Sequence, residues 1–248
     1  TLFRSYTVGY DVFIFLFALT SLGMLPATTK LVAEYKVKTN DKSELQVMKV
    51  ARNVLFIYGG VIAVLFAVMA KPLSKLLNSE QSFWVFVFLS PAVFIASILT
   101  AYRGYFQGCK DMLSLSVSNI IEQVLNVVFS LIFAFQLMKF STKWGSTGGT
   151  VGTTIGALGA LIYVRYIINK KYIEKSNLKQ VRISKSKKRE ILKTLLTYAV
   201  PFILIAAIQN ISNLIDVITI RNLIHGDVNV KTATLKYYTT IISVPLVI

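Results

Sequence analysis

Histidine, cysteine and carboxylates are scarce in this 248-residue chain: one cysteine, Cys109, one histidine, His225, and eleven acidic residues. A single cysteine forbids an internal disulfide, and one histidine with one cysteine falls short of the three or four ligands of a zinc-type centre. His225 reads as an ordinary loop residue, and neither a metal site nor a cofactor is expected. Phosphotransfer on a polyprenyl phosphate would ask for neighbouring carboxylates around Mg2+, or a histidine or cysteine nucleophile beside a base. The sequence pairs no such groups, which argues against an enzyme but leaves open residues that meet only in space.

What is abundant is hydrocarbon. Hydrophobic residues make up 54% and aromatics 12% of the chain, charged residues only 15%, and the mean hydropathy is +0.62. That balance belongs to a membrane protein. Apolar stretches near the roughly 20 residues needed to cross hydrocarbon occur at 9–28, 53–70, 83–101, 114–137, 149–168 and 195–220, and a seventh starts near 236. The expected fold is an all-α, polytopic membrane helical bundle. The chain opens on Thr1 without a signal peptide and stops at Ile248 inside an apolar run, so both ends read as cut and a longer parent chain is expected.

Charge assigns the sides. If the first connection faces the cytoplasm, the connections on that side hold eighteen Lys and Arg, ten of them in 169–194, against six on the other side. The bias obeys the positive-inside rule and accounts for most of the net charge of +16 as topology and contact with anionic lipid, not as a nucleic-acid surface. The basic stretch 169–193 reads as a cytoplasmic linker between 1–168, most of one transmembrane lobe, and 194–248, the start of a second. Its end, through Ile183, Ile191, Leu192 and Leu195, fits either an interfacial basic helix or a plain solvated linker.

Polar residues sit where hydrocarbon should be. In the fourth span Asn119, Gln123, Asn126 and Ser130 recur at i, i+4, i+7 and i+11 with Glu122 beside them, forming a helical stripe. In the sixth span Gln209, Asn213 and Asp216 repeat the pattern. Against lipid such groups would cost several kcal/mol each, so they should face protein or a hydrated cavity. The amides serve equally as interhelical hydrogen-bond glue, whereas Glu122 and Asp216 point to a substrate or ion pathway. Pro91 and Pro201 are expected to kink their spans. Gly148, Gly152 and Gly156 form a small-xxx-small ladder that predicts close helix packing. "AYRGYFQG", 101–108, reads as a glycine-framed polar turn at the cytoplasmic face carrying Arg103 and Gln107, either an anion-binding corner or a helix boundary.

Three stretches, "LTSLGMLPATTKLVAEY" (19–35), "YRGYFQGCKDMLSLSVSNIIEQVLN" (102–126) and "PFILIAAIQNISNLIDVITIRNLI" (201–224), resemble the stage V sporulation protein B group of polysaccharide exporters. That group is similar to MurJ-type lipid II flippases, within the multidrug/oligosaccharidyl-lipid/polysaccharide exporter superfamily. The resemblance implies a two-lobed exporter of about fourteen helices, of which about seven are present and the first is missing. It also implies transport of undecaprenyl-pyrophosphate-linked sugars from the inner to the outer leaflet of the bacterial plasma membrane by alternating access, coupled to Na+, H+ or membrane potential, by a protein acting as a monomer. Where the family pattern reads Glu-Gln-x-x-Arg, this chain has Glu122, Gln123 and Asn126, and so lacks one basic group. Lys30 and Arg103 match family motif positions and are the candidates for phosphate contact.

The expected function is therefore a flippase for a lipid-linked cell-wall or polysaccharide precursor, with Lys30, Arg103, Gln107, Asn119, Glu122, Gln123, Asn126, Gln209, Asn213 and Asp216 along the substrate path. The nearer rival is an ion-coupled multidrug cation antiporter of the same superfamily, to which a basic mouth would be of little use. An integral-membrane polyprenyl-phosphate enzyme is more remote.

Overall fold

Pro26 sets the shape of the first helix. It has no N–H to offer the carbonyl of Leu22, four residues earlier, and in the computed structural model the turn ending at Leu22 is widened. Ala18–Leu22 forms a π turn, closed by Gly23 N–H on the Ala18 carbonyl at 3.2 Å, inside α1, Val12–Lys38. The structure describes Tyr10 and residues 12–38, 43–76, 83–139, 142–173 and 184–223. Five helices follow α1: α2 (Glu44–Leu76), α3 (Phe83–Gly108), α4 (Met112–Met138), α5 (Thr142–Ile167, extended by a π segment Ile168–Ile173) and α6 (Lys185–Leu223).

All six carry a stretch long and apolar enough to cross a membrane, one for each of the first six predicted spans. With helices throughout and no strand among the described residues, this is an all-α bundle of membrane-spanning helices. The predicted seventh span lies outside the described residues. Helices overrun the apolar runs, as α1 does to Lys38, because backbone hydrogen bonding continues into the interfacial region after hydrophobicity has ended.

The helix α3 is the hub, packing on α1, α2 and α5. Of its most apolar window 61% is buried, against none of the α4 window, since α4 lies at the rim with most of its packing on α5. Two apolar cores stack along the bundle. One unites Leu31, Met48, Leu55, Tyr105, Phe106, Ile168, Ile191 and Leu195 at the end with the basic connections. The other joins Val12, Phe13, Phe66, Phe86 and Leu89 at the opposite end. That opposite end also holds Trp84 stacked on Trp144 at 5.7 Å between centroids, the amphipathic rings expected at a membrane interface.

Glycines set how near the helices come. A Cβ on Gly148, Gly152 or Gly156 of α5 would collide with the α4 backbone at Phe133, Ser130 or Glu122, so the predicted ladder is the α4/α5 seam. Pro91 and Pro201 lie inside α3 and α6, each of which continues through its proline as one helix. The basic end of 169–193 forms no separate helix: Lys185 already begins α6, and Ile191 and Leu195 are fully buried in the first of these cores.

Candidate functional site

The "AYRGYFQG" segment is not a turn. Residues 101–108 are the last two turns of α3, and the reversal falls after them at Cys109, Lys110 and Asp111. Gly104 and Gly108 serve packing: a Cβ at either would lie 2.8 or 2.7 Å from Thr28 or Val32 of α1. The helix ends in a Schellman arrangement, with Asp111 N–H on the Phe106 carbonyl at 2.8 Å and Lys110 N–H on that of Gln107 at 3.0 Å. Lys110 takes the left-handed conformation there, φ 60°. Lys36 of α1 donates its ammonium to the Cys109 carbonyl at 2.7 Å, a cation at a helix C-terminus. Asp111 then caps α4, accepting from Ser114 N at 3.3 Å and Ser114 Oγ at 2.9 Å. Burial raises the Cys109 thiol pKa above its ordinary value.

Because α3 stays helical, Arg103 is carried into the bundle, about 7 Å below the helix end at 1.5 Å per residue. It meets Glu122 of α4, ten positions past Met112, in an ion pair at 2.5 Å, with side chains 15% and 18% exposed. Arg103 also donates from Nε and Nη2 to Ser118 Oγ at 3.3 and 3.2 Å, and from Nη2 to the Ser118 carbonyl at 3.3 Å. Ser118, one turn before Glu122, is fully buried. The sequence reading passed over it, although its i−4 spacing from Glu122 was visible. Two residues considered separately, a phosphate contact and an ion-coupling carboxylate, are thus one charge-neutral unit.

The α4 stripe divides in two. Asn126 Oδ1 accepts from Ser130 Oγ at 2.9 Å and from Thr153 Oγ1 of α5 at 3.4 Å, and Ser130 Oγ also reaches the Gly149 carbonyl at 2.7 Å. That half is interhelical glue. Asn119 and Gln123 are exposed, with no hydrogen-bond partner among the described residues, beside exposed Ile120 and Val124. Gln107 accepts from Thr29 Oγ1 at 3.2 Å and joins α3 to α1.

Lys30 lies elsewhere. Exposed on α1, it places Nζ 4.0 Å from the ring centroid of Tyr198 on α6, whose hydroxyl donates to Glu34 at 3.1 Å. No sequence pattern links Tyr198 to α1; its hydrogen bond to Glu34 spans 164 positions. Gln209 is exposed on α6. Asn213 and Asp216 fall on the same helix, and their side chains lie outside the described residues. No group of three or more metal-ligating side chains occurs among the described residues.

An all-α bundle of six long apolar helices, with an ion pair joining two of them and exposed amides beside it, defines a multi-pass membrane protein. The chain belongs to the polysaccharide biosynthesis protein family, which matches it over residues 1–248. It is 22% identical over 160 residues to stage V sporulation protein B of Bacillus subtilis (strain 168), covering 64% of this chain and 31% of that protein. It is 22% identical over 140 residues to lipid II flippase MurJ of the same organism, covering 53% and 26%. The matches thus span a third or less of these relatives. No solved structure matches the chain. With six apolar helices and these relatives, the protein is a multi-pass bacterial membrane protein.

Proposed function

We propose that the chain is part of a flippase that carries a polyprenyl-diphosphate-linked saccharide from the inner to the outer leaflet. The observation that carries this reading is the Arg103–Glu122 pair beside the exposed amides Asn119 and Gln123 on α4. A guanidinium recognises phosphate oxygens through paired N–H groups, and amides both donate and accept, as sugar hydroxyls require. Family membership and the relative named as a lipid II flippase support the same substrate class.

Glu122 holds the guanidinium while the path is empty, and a diphosphate oxygen would compete with the carboxylate for the same N–H groups. Lys30, held on Tyr198, would draw the diphosphate to the cytoplasmic mouth. No bond of the substrate is made or broken. The multidrug antiporter gains no support here, since an organic cation would have to displace an arginine from the carboxylate it needs.

The test uses the full-length protein in proteoliposomes with a fluorescent lipid-linked disaccharide, followed by an external quencher. Protein-dependent exchange is expected, reduced tenfold or more in Arg103→Ala and clearly reduced in Glu122→Gln. Absence of exchange under every imposed gradient, with cation efflux in its place, would overturn the reading in favour of the antiporter.

A further inference from the structure

At the end of the bundle that the positive-inside rule puts in the cytoplasm, α1 and α6 part to leave a cleft of about 520 Å3. Volumes of roughly 300–1,000 Å3 are those of small-ligand sites. Some of its wall is already committed: the Tyr198 hydroxyl is given to Glu34, Lys38 stands 3.9 Å from the same carboxylate, and Lys30 covers the Tyr198 ring.

Two charges in the lining are not committed. Lys187 is half-buried and Glu190 exposed, and neither forms an ion pair among the described residues. Three positions apart on α6, they share a helix face, and Ser186, whose hydroxyl pairs with that of Ser184 at 3.1 Å, also lines the cleft. A bare phosphate would find Lys187 but face the carboxylates Glu34 and Glu190. A simple organic cation would find Glu190 but face Lys38 and Lys187. A ligand that carries both signs leaves neither charge unanswered.

We propose that this cleft binds a phosphate ester bearing a primary ammonium, the chemistry of a phosphoethanolamine headgroup, with the phosphate on Lys187 and Ser186 and the ammonium on Glu190. Ethanolamine is favoured over choline for a stated reason. A primary ammonium gives three N–H donors to a carboxylate, whereas a quaternary one gives none and depends on an aromatic face. The Tyr198 face is already occupied by Lys30, and the other ring in the lining, Tyr35, falls short of the aromatic cage that encloses a quaternary ammonium. The site does not depend on the transport reading, because neither Lys187 nor Glu190 belongs to the path assigned above.

The experiment is native mass spectrometry of the detergent-solubilised full-length protein with phosphatidylethanolamine, phosphatidylcholine or phosphatidylglycerol of one acyl composition, and with soluble glycerophosphoethanolamine. Retention of phosphatidylethanolamine is expected to exceed that of the other two lipids at least fivefold. Glu190→Gln should bring it down to the phosphatidylcholine level, and Lys187→Gln should weaken both. Lys188→Gln, a neighbouring exposed lysine outside the cleft lining, should change nothing, and unchanged melting temperatures exclude misfolding. Soluble ester bound as tightly as the lipid would identify a free metabolite as the source, and its failure to bind would identify the bilayer; both uphold the chemistry. Equal retention of ethanolamine and choline lipids, a preference for phosphatidylglycerol, or an ethanolamine preference that survives both variants would overturn it.

Discussion

Arg103 and Glu122 depend on each other more than either depends on its surroundings. Both are largely withdrawn from water, and stripping one partner from such a pair costs about 3–5 kcal/mol because the other charge is left uncompensated. Arg103→Gln and Glu122→Gln are each expected to lower stability by about that amount. The double variant should lose clearly less than the sum, which a double-mutant cycle in denaturant or heat will measure; strict additivity would mean the pair is not energetically coupled. Lys110 poses the opposite case. A non-glycine residue in the left-handed region costs about 1 kcal/mol, so Lys110→Gly should raise stability by about 0.5–1 kcal/mol, seen as a higher melting temperature. Cys109 adds a pH dependence. Its thiol pKa is raised by burial, so the neutral form is favoured in the fold. The associated stability is fully present below the ordinary thiol pKa of about 8.5 and is lost as pH rises through the folded value. Maleimide labelling at pH 7 should accordingly be at least tenfold slower in the folded protein than after denaturation.

At the scale of helices, several close contacts are made by glycine on one side and a β-branched residue or bare backbone on the other. Gly104 faces Thr28 and Gly108 faces Val32 where α3 crosses α1; Gly23 faces Ile203 where α6 crosses the π turn of α1. Overpacking such a contact costs about 1–3 kcal/mol. Gly104→Ala is expected to destabilise by that amount, and adding Thr28→Ala should recover part of it by removing the Cγ2 methyl, while the Thr28 Cβ, also 2.8 Å from the new Cβ, stays in place. Failure of the second change to rescue the first would locate the strain in the backbone. The sequence announced the α5 ladder through its spacing, because three glycines four apart have no other common use in a span. It misled at Gly104 and Gly108, because the same residue marks turns and close helix contacts, and only the partner helix distinguishes them. Helix existence was legible throughout, since runs of about 20 apolar residues have one solution in lipid. Helix ends were not, since capping by Lys110 and Asp111 leaves no apolar signal.

For the whole molecule, composition and charge carried the architecture, whereas the site required contacts across the chain. Residues placed in one stripe by periodicity are divided by what faces them: Asn126 is covered by α5, while Asn119 is not. Period alone reports a face, never its occupant. Orientation is the remaining inference on which both functional proposals stand, because the cleft between α1 and α6 meets the inner leaflet only if the basic connections are cytoplasmic. The single cysteine makes this directly measurable. In a Cys109→Ser background, Lys75→Cys at the end of α2 should react with a membrane-impermeant maleimide in intact cells, whereas Lys188→Cys at the start of α6 should react only after permeabilisation. Lys75 closes α2 and Lys188 opens α6, two helices that run in the same direction, so the two results must be reciprocal if α2 and α6 both span. Labelling of Lys188→Cys in intact cells would turn the bundle over. It would place the Lys30–Tyr198 contact at the outer face and remove the reason for assigning it to substrate entry.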